Sequence, residues 1–226
     1  KTVAQFDFIR AIEKVMLGPE RKSHILSKEE KKITAYHEAG HALVSSVLTF
    51  SDPVHKISII ARGHAGGYTL KLPLEETRLH AKKEFLDDIA MSLGGYVAEE
   101  MVFGDITTGP SNDLQVATAM ARDMVTKYGM SEKLGPVALE GFRGRALFGG
   151  RGVDSKDYSE DVSKKIDEEV SKIMNDGFAR ARAVCIEHRK ALDAIAEELI
   201  SKESIERDEF EKLLVLNGIK PKRKAN

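Results

Sequence analysis

The chain has 226 residues, of which 42% are hydrophobic and 31% charged, and its formal net charge is -1. This composition is typical of a folded globular protein with one large domain or two small ones. The near-neutral charge gives no support for nucleic acid or an acidic membrane surface as a general partner. No apolar run approaches the ~20 residues of a membrane-spanning helix, and a single cysteine cannot form a disulfide within the chain.

The first two predicted elements are helices. Apolar residues at helical spacing predict a short helix over residues 6–17. A second helix is predicted over residues 28–49, because Ser27 followed by Glu30 forms a capping box and no proline interrupts before Pro53. Its apolar residues also recur at helical spacing, so we expect one side of this helix to pack into a core.

The second helix carries a His-Glu-x-x-His motif over residues 37–41. His37 and His41 are i and i+4 in a helix, so both imidazoles project from one face and can reach the same zinc ion. Glu38 lies one step round the helix, where its carboxylate can take a proton from a metal-bound water without binding the metal. The alternative is a surface helix with two solvated histidines, and the capped, amphipathic context argues against it.

The next segment predicts a small β ribbon. β-branched and partly alternating residues indicate strands over 54–60 and 68–72, with a glycine-containing turn between them. Because a two-stranded ribbon is marginal by itself, we expect it to pack on helices. A long helix is predicted over 77–103, although Gly94 and Gly95 would cost it about 2 kcal/mol relative to alanines. Close packing against another helix is one reason to tolerate this pair.

The remainder of the chain is predicted to be mainly helical. Composition indicates a loop over 104–112, followed by a helix that begins near Asp113. Residues 133–156 are irregular, and the glycines and arginines of 141–152 indicate a loop rather than a phosphate site, since the Gly-x-x-x-x-Gly-Lys-Ser/Thr pattern occurs nowhere. After residue 158 the pattern predicts a helical bundle. The expected fold is mainly α, a helical array with a small two-stranded β ribbon.

A zinc site on this motif needs a third protein ligand from elsewhere in the chain. The residues after His41 exclude a His-Glu-x-x-His-x-x-Gly-x-x-His site, because valines stand where its glycine and third histidine would be. Glu99 or Glu100 would supply a glutamate from the long helix. Asp113 would supply an aspartate from a helix start, where the helix dipole stabilises the ionised carboxylate that binds metal. From position alone, an ordinary helix-start acid is an equal interpretation of Asp113.

Several segments carry motifs of one known family. They are Gly-Pro-Glu-Arg (18–21), Ala-Tyr-His-Glu-Ala-Gly-His-Ala (35–42), Gly-Gly (94–95), Ala-Glu-Glu (98–100), Thr-Thr-Gly-Pro-Ser-Asn-Asp-Leu (107–114), Met-Val-Thr-Lys-Tyr-Gly-Met-Ser-Glu-Lys-Leu-Gly (124–135), Tyr-Ser-Glu (158–160) and Ile-Asp-Glu-Glu-Val (166–170). On these motifs nearly the whole chain resembles the FtsH-type, ATP-dependent, membrane-anchored zinc metalloproteases. Ala61 and Tyr96 depart from the family, which usually has proline and arginine at these positions.

The resemblance implies roles for the residues of the motif. The implied ligands of one zinc ion per chain are His37, His41 and Asp113. Glu38 would be the catalytic glutamate. With Asp113 as the third ligand, Glu99 or Glu100 is expected to accept a hydrogen bond from the outer nitrogen of a ligand histidine.

The resemblance also implies an organisation and a function. Residues 1–26 are expected to be the end of an ATPase lid with its connector, and 27–226 the zinc peptidase domain. The ATPase module, where ATP would bind, and the family's membrane segments are not in this chain. We therefore expect a soluble fragment of a membrane-anchored protease, with the peptidase on the cytoplasmic, matrix or stromal side.

The expected activity is zinc-dependent endopeptidase action within an ATP-driven protease that degrades unfolded and membrane proteins. These substrates would bind as extended chains, and further copies of the protein would form a hexamer, with no nucleic acid as partner. The alternative function is a catalytically silent, metal-stabilised scaffold that assembles a ring and binds partners. Glu38 argues against this alternative, because a structural metal site has no need of it.

Overall fold

The computed structural model describes most of the chain. The described residues are 26–62, 66–73, 78–139 and 158–222, with 7, 8, 11, 12, 14, 15 and 18 near the N-terminus. Of the helix predicted over 6–17, the described residues between 7 and 15 are all helical. The loop predicted over 141–152 lies outside the described residues.

The described elements confirm a mainly α fold with a small sheet. In chain order they are α1 (Lys28–Val47), β1 (Val54–Ser58), β2 (Tyr68–Lys71), α2 (Lys82–Ser92), α3 (Gly94–Phe103), α4 (Ser111–Thr126), α5 (Glu160–Glu187), α6 (Arg189–Lys202), β3 (Ser204–Glu206) and α7 (Arg207–Leu216). Their apolar faces meet in one core to which helices and strands both contribute. Among the described helices, none has both the length and the apolar content required to cross a membrane.

Helix α1 lies at the centre of this array. The predicted capping box is confirmed, since the Ser27 hydroxyl accepts from the Glu30 amide at 3.1 Å and the Glu30 carboxylate accepts from the Ser27 amide at 2.9 Å. The helix packs mainly against α3 and α6 and also contacts α2, α5 and the sheet. All residues from 35 to 46 are consequently buried, so the His-Glu-x-x-His motif lies in the interior.

The sheet has three strands where the sequence predicted two. β1 pairs antiparallel with β2 on one side and with β3 on the other, which gives the order β2-β1-β3. The third strand was missed because Ser204–Glu206 is only three residues long and follows directly on a helix, so no alternation marks it. The outer edge of β2 is unpaired in the part of the chain that the structure describes.

The long helix predicted over 77–103 is two helices, α2 and α3. The chain turns between them at Leu93, whose ψ of -5° departs from helical values. Where α3 crosses α1, a Cβ on Gly40 would lie 2.3 Å from the Gly94 carbonyl oxygen, and a Cβ on Gly94 would lie 2.7 Å from that of Gly40. The two backbones therefore touch, which confirms close packing as a reason for Gly94.

Candidate metal centre

Three side chains converge between α1 and the first turn of α4. The Nε2 atoms of His37 and His41 are 3.0 Å apart, and Asp113 Oδ2 lies 3.2 Å from the first and 3.5 Å from the second. One potential ligand atom from each residue lies within 4.8 Å of the other two, so all three can bind one ion. Two imidazole nitrogens and a carboxylate oxygen suit zinc, and they leave a tetrahedral position for water.

Asp113, rather than either glutamate, reaches the two histidine Nε2 atoms. It lies in the first turn of α4, where the helix dipole favours a negative charge. Burial raises the pKa of Asp113, but hydrogen bonds to His37 and His41 outweigh burial and hold the pKa well below its usual range. The carboxylate is therefore ionised, which is the form that binds metal.

Glu99 contacts the opposite nitrogen of His37. Its Oε1 lies 2.8 Å from His37 Nδ1, which suits a tautomer that donates from Nδ1 and leaves Nε2 for a metal. Its Oε2 accepts hydrogen bonds from the Thr107 amide at 2.9 Å and the Thr107 hydroxyl at 2.8 Å. Glu99 is only 1% exposed. Of the two glutamates considered from sequence, Glu99 thus contacts the cluster, and no contact of the Glu100 side chain with it occurs among the described residues.

His41 is oriented by the backbone. The Met91 carbonyl oxygen lies 2.8 Å from His41 Nδ1 and accepts a hydrogen bond from its N–H, so Nε2 faces Asp113. For His37, burial lowers the pKa, but Asp113 and Glu99 outweigh burial and raise the pKa to about 10. A metal ion binds the neutral imidazole, so a proton and a metal compete for His37 Nε2.

Glu38 faces the sheet rather than the ligand cluster. Its Oε2 accepts a hydrogen bond of 2.8 Å from the Thr69 hydroxyl of β2. A Cβ on Gly67 would lie 2.8 Å from Glu38 Oε1, so the glycine leaves space that the carboxylate occupies. Burial raises the pKa of Glu38, and the neighbouring histidines and Thr69 offset this only in part. A raised pKa suits a group that takes up and returns a proton.

Four residues that support the site were not predicted from the sequence: Gly67, Thr69, Met91 and Thr107. Thr107 falls within a segment that carried the family resemblance, and this was the only pointer to it. Thr69 and Gly67 stand in an ordinary strand and turn pattern. Their contacts with Glu38 join elements that are distant in the chain, and no local spacing reveals such contacts.

The chain is similar to known proteins over most of its length. The family model described as Peptidase family M41 matches residues 24–213. The chain is 50% identical over 210 residues to "ATP-dependent zinc metalloprotease FtsH" of Thermotoga maritima, which covers 92% of this chain and 34% of that protein. It is 47% identical over 214 residues to FtsH 1 of Sphaerobacter thermophilus, covering 94% and 33% respectively. FtsH 3 of Synechocystis sp. is 46% identical over 216 residues, covering 93% and 35%. The chain spans about a third of the length of these curated relatives.

Proposed function

Because the chain belongs to peptidase family M41, we propose that it is a zinc-dependent endopeptidase. The proposed ligands of one zinc ion per chain are His37, His41 and Asp113, and Glu38 is the proposed catalytic glutamate. The observation that carries this proposal is the convergence of the three potential ligand atoms within 4.8 Å, on the helix that also holds Glu38.

The proposed mechanism divides the work among the side chains. When bound, zinc supplies a water of lowered pKa and a Lewis acid for the scissile carbonyl. Glu38 takes the proton of the attacking water and later donates it to the leaving amine. Glu99 and the Met91 carbonyl hold the two imidazoles with Nε2 toward the metal position. The burial of these groups excludes bulk water and strengthens their electrostatic interactions.

The outer edge of β2 is the proposed substrate site. The order β2-β1-β3 leaves the backbone groups on that edge available to pair with an extended peptide. Main-chain pairing is independent of side chains, so it supports low sequence specificity. Thr69 on the same strand touches Glu38, so a peptide paired to β2 would run beside the proton-transfer group.

The activity of the whole protein is proposed from its relatives. We propose an ATP-driven, membrane-anchored protease that degrades unfolded and membrane proteins, with ATP bound only on an ATPase module outside this chain. Residues 1–26 would be the end of the ATPase lid with its connector, and 27–226 the peptidase domain; the start of the family match at residue 24 supports this division. A hexamer, and a peptidase on the cytoplasmic, matrix or stromal side, belong to the same proposal.

One experiment on the purified chain tests the peptidase activity. Zinc content is measured by metal analysis, and hydrolysis is followed on casein, an unstructured protein substrate. We expect cleavage that stops when a chelator removes the metal and returns when zinc is restored. A chain that binds one zinc ion but leaves casein intact under all these conditions would instead be the silent scaffold.

A further inference from the structure

Thr69 joins the sheet to the catalytic glutamate. It lies in β2 opposite Ile57 of β1, and its side chain projects toward α1. Its hydroxyl oxygen is 2.8 Å from Glu38 Oε2 and 3.3 Å from the Glu38 main-chain oxygen. A hydroxyl has one proton to donate, and the shorter, charge-assisted bond to the carboxylate is the stronger of the two.

This bond is the main restraint on the Glu38 carboxylate. Among the described residues, Thr69 is the one side chain found to donate a hydrogen bond to Glu38, and Oε1 has no protein donor. Gly67 packs beside Oε1, since a Cβ there would lie 2.8 Å from that oxygen. Thr69 therefore holds one carboxylate oxygen by a hydrogen bond, while Oε1 receives none from the described residues and stays available for a proton.

We propose that Thr69 is a positioning residue for proton transfer, which fixes the Glu38 carboxylate from the strand on which the substrate chain is expected to pair. This inference rests on the proposed peptidase function. A substrate strand added to β2 would order the strand that holds Thr69, so substrate binding and the placement of the base share one element. Misplacing a catalytic group by about 1 Å can cost on the order of 100-fold in rate.

The test compares variants that keep or remove the hydroxyl. Thr69→Val removes it while retaining a β-branched side chain suited to a strand, and Thr69→Ser retains it. Lys56→Met is the matched control, because it removes a side-chain contact within the same sheet, from Lys56 of β1 to Glu206 of β3 at 2.9 Å, outside the strand proposed to pair with substrate. For each variant, kcat and KM are measured on an unstructured peptide at saturating zinc.

We expect Thr69→Val to lower kcat by about 10- to 100-fold with KM nearly unchanged, because the base is misplaced while the peptide-pairing edge remains. Thr69→Ser should restore kcat to within about threefold of the original chain, and Lys56→Met should retain it. Zinc affinity, measured by competition with a chelating dye, should be the same in all four proteins. Equal values would show that the ligand cluster is intact in Thr69→Val.

The outcomes separate this inference from the peptidase proposal. If the unmodified chain binds zinc but cleaves nothing, the proposed function fails first. If it cleaves and Thr69→Val has the same kcat, the positioning role is wrong. A parallel loss in Lys56→Met would also overturn it, since that loss would follow from loosening the sheet in general. Should Thr69→Val not fold, Thr69→Ala against Thr69→Ser makes the same comparison.

Discussion

Two threonine hydroxyls donate hydrogen bonds of equal length to two buried glutamates beside the candidate metal centre. Thr107 donates at 2.8 Å to Glu99, which contacts the proposed ligand His37. Thr69 donates at 2.8 Å to Glu38, which is adjacent to His37 in α1. The first pair joins a loop to α3, whereas the second joins an edge strand to the central helix α1.

The difference lies in what supports each pair. Glu99 is on α3, whose backbone touches that of α1 where Gly40 and Gly94 meet. In the described structure its carboxylate has three hydrogen-bond partners, which are His37 Nδ1, the Thr107 amide and the Thr107 hydroxyl. Among the described residues, the Glu38 carboxylate has one donor, from a strand whose outer edge none of them pairs with. In the proposed site, metal binding would therefore depend on the helical array, and proton transfer on the smaller sheet. Substitutions should separate these two properties.

The largest expected effect is the loss of metal and activity together in Asp113→Ala. Removing the carboxylate leaves two histidines to bind the ion, and zinc sites in proteins need at least three protein ligands. Metal analysis after dialysis should find the variant nearly free of zinc. Asp105→Ala is the control, because Asp105 is an exposed acid of the preceding loop whose side chain accepts a hydrogen bond from the neighbouring Ile106 amide.

The opposite result would change the ligand assignment. If Asp113→Ala retains zinc while Glu99→Gln loses it, the third ligand is a glutamate. Asp113 would then be an ordinary acid at a helix start.

Glu38→Gln should lose activity while keeping the metal. Glutamine retains the shape of the side chain but cannot take up a proton, so we expect hydrolysis to fall by about 100- to 10,000-fold. Zinc should stay near one ion per chain, because Glu38 does not face the ligand cluster. Glu100→Gln, a change of the same kind on α3 away from the cluster, should retain activity. Loss of zinc from Glu38→Gln would show that this residue supports the metal instead.

The parts of the site that the sequence predicted are those encoded locally. The capping box at Ser27 and the spacing of His37 and His41 follow from helix geometry alone. The residues themselves left Asp113 and the glutamates as alternatives, and Asp113 was favoured by its place at a helix start and by the family resemblance. A third ligand is brought close by tertiary packing, which no local period encodes.

The parts that were missed depend on contacts between distant elements. β3 forms because Ile205 pairs with Ile57 in β1, and its three residues carry no strand pattern of their own. The break at Leu93 was also missed, since leucine is a good helix former and gives no local indication of a turn. Thr69 and Thr107 act through single hydrogen bonds to glutamates on other elements, and only the folded structure pairs them.

Glu99→Gln should weaken zinc binding by about 10- to 100-fold, the usual cost of losing an outer partner of a metal-bound histidine. The amide oxygen can still accept from His37, but it lacks the negative charge that strengthens the imidazole as a ligand. At saturating zinc we expect kcat to be largely retained. Dissociation constants from chelator competition test this, with Glu100→Gln again as the control. A kcat that stays low at saturating zinc would place Glu99 in the proton-transfer step.

The smallest expected effect is that of Thr107→Val, and it provides the sharpest form of the comparison. The Thr107 amide still donates to Glu99 in this variant, so only one of two bonds to Oε2 is lost. We therefore expect zinc affinity to fall by less than about 10-fold, below the range for Glu99→Gln. Thr69→Val removes the same group at the same 2.8 Å from a glutamate, but it should lower kcat and leave zinc affinity unchanged.

Zinc affinity and kcat are measured in both Thr107→Val and Thr69→Val. The two values show whether the support of Glu99 by Thr107 is independent of the support of Glu38 by Thr69. Thr107→Val could lower kcat at saturating zinc as strongly as Thr69→Val does. Metal binding and proton transfer would then not depend separately on the helical array and the sheet. In that case the two glutamates act as one network through His37 and Glu38, whose neighbouring positions in α1 would couple them.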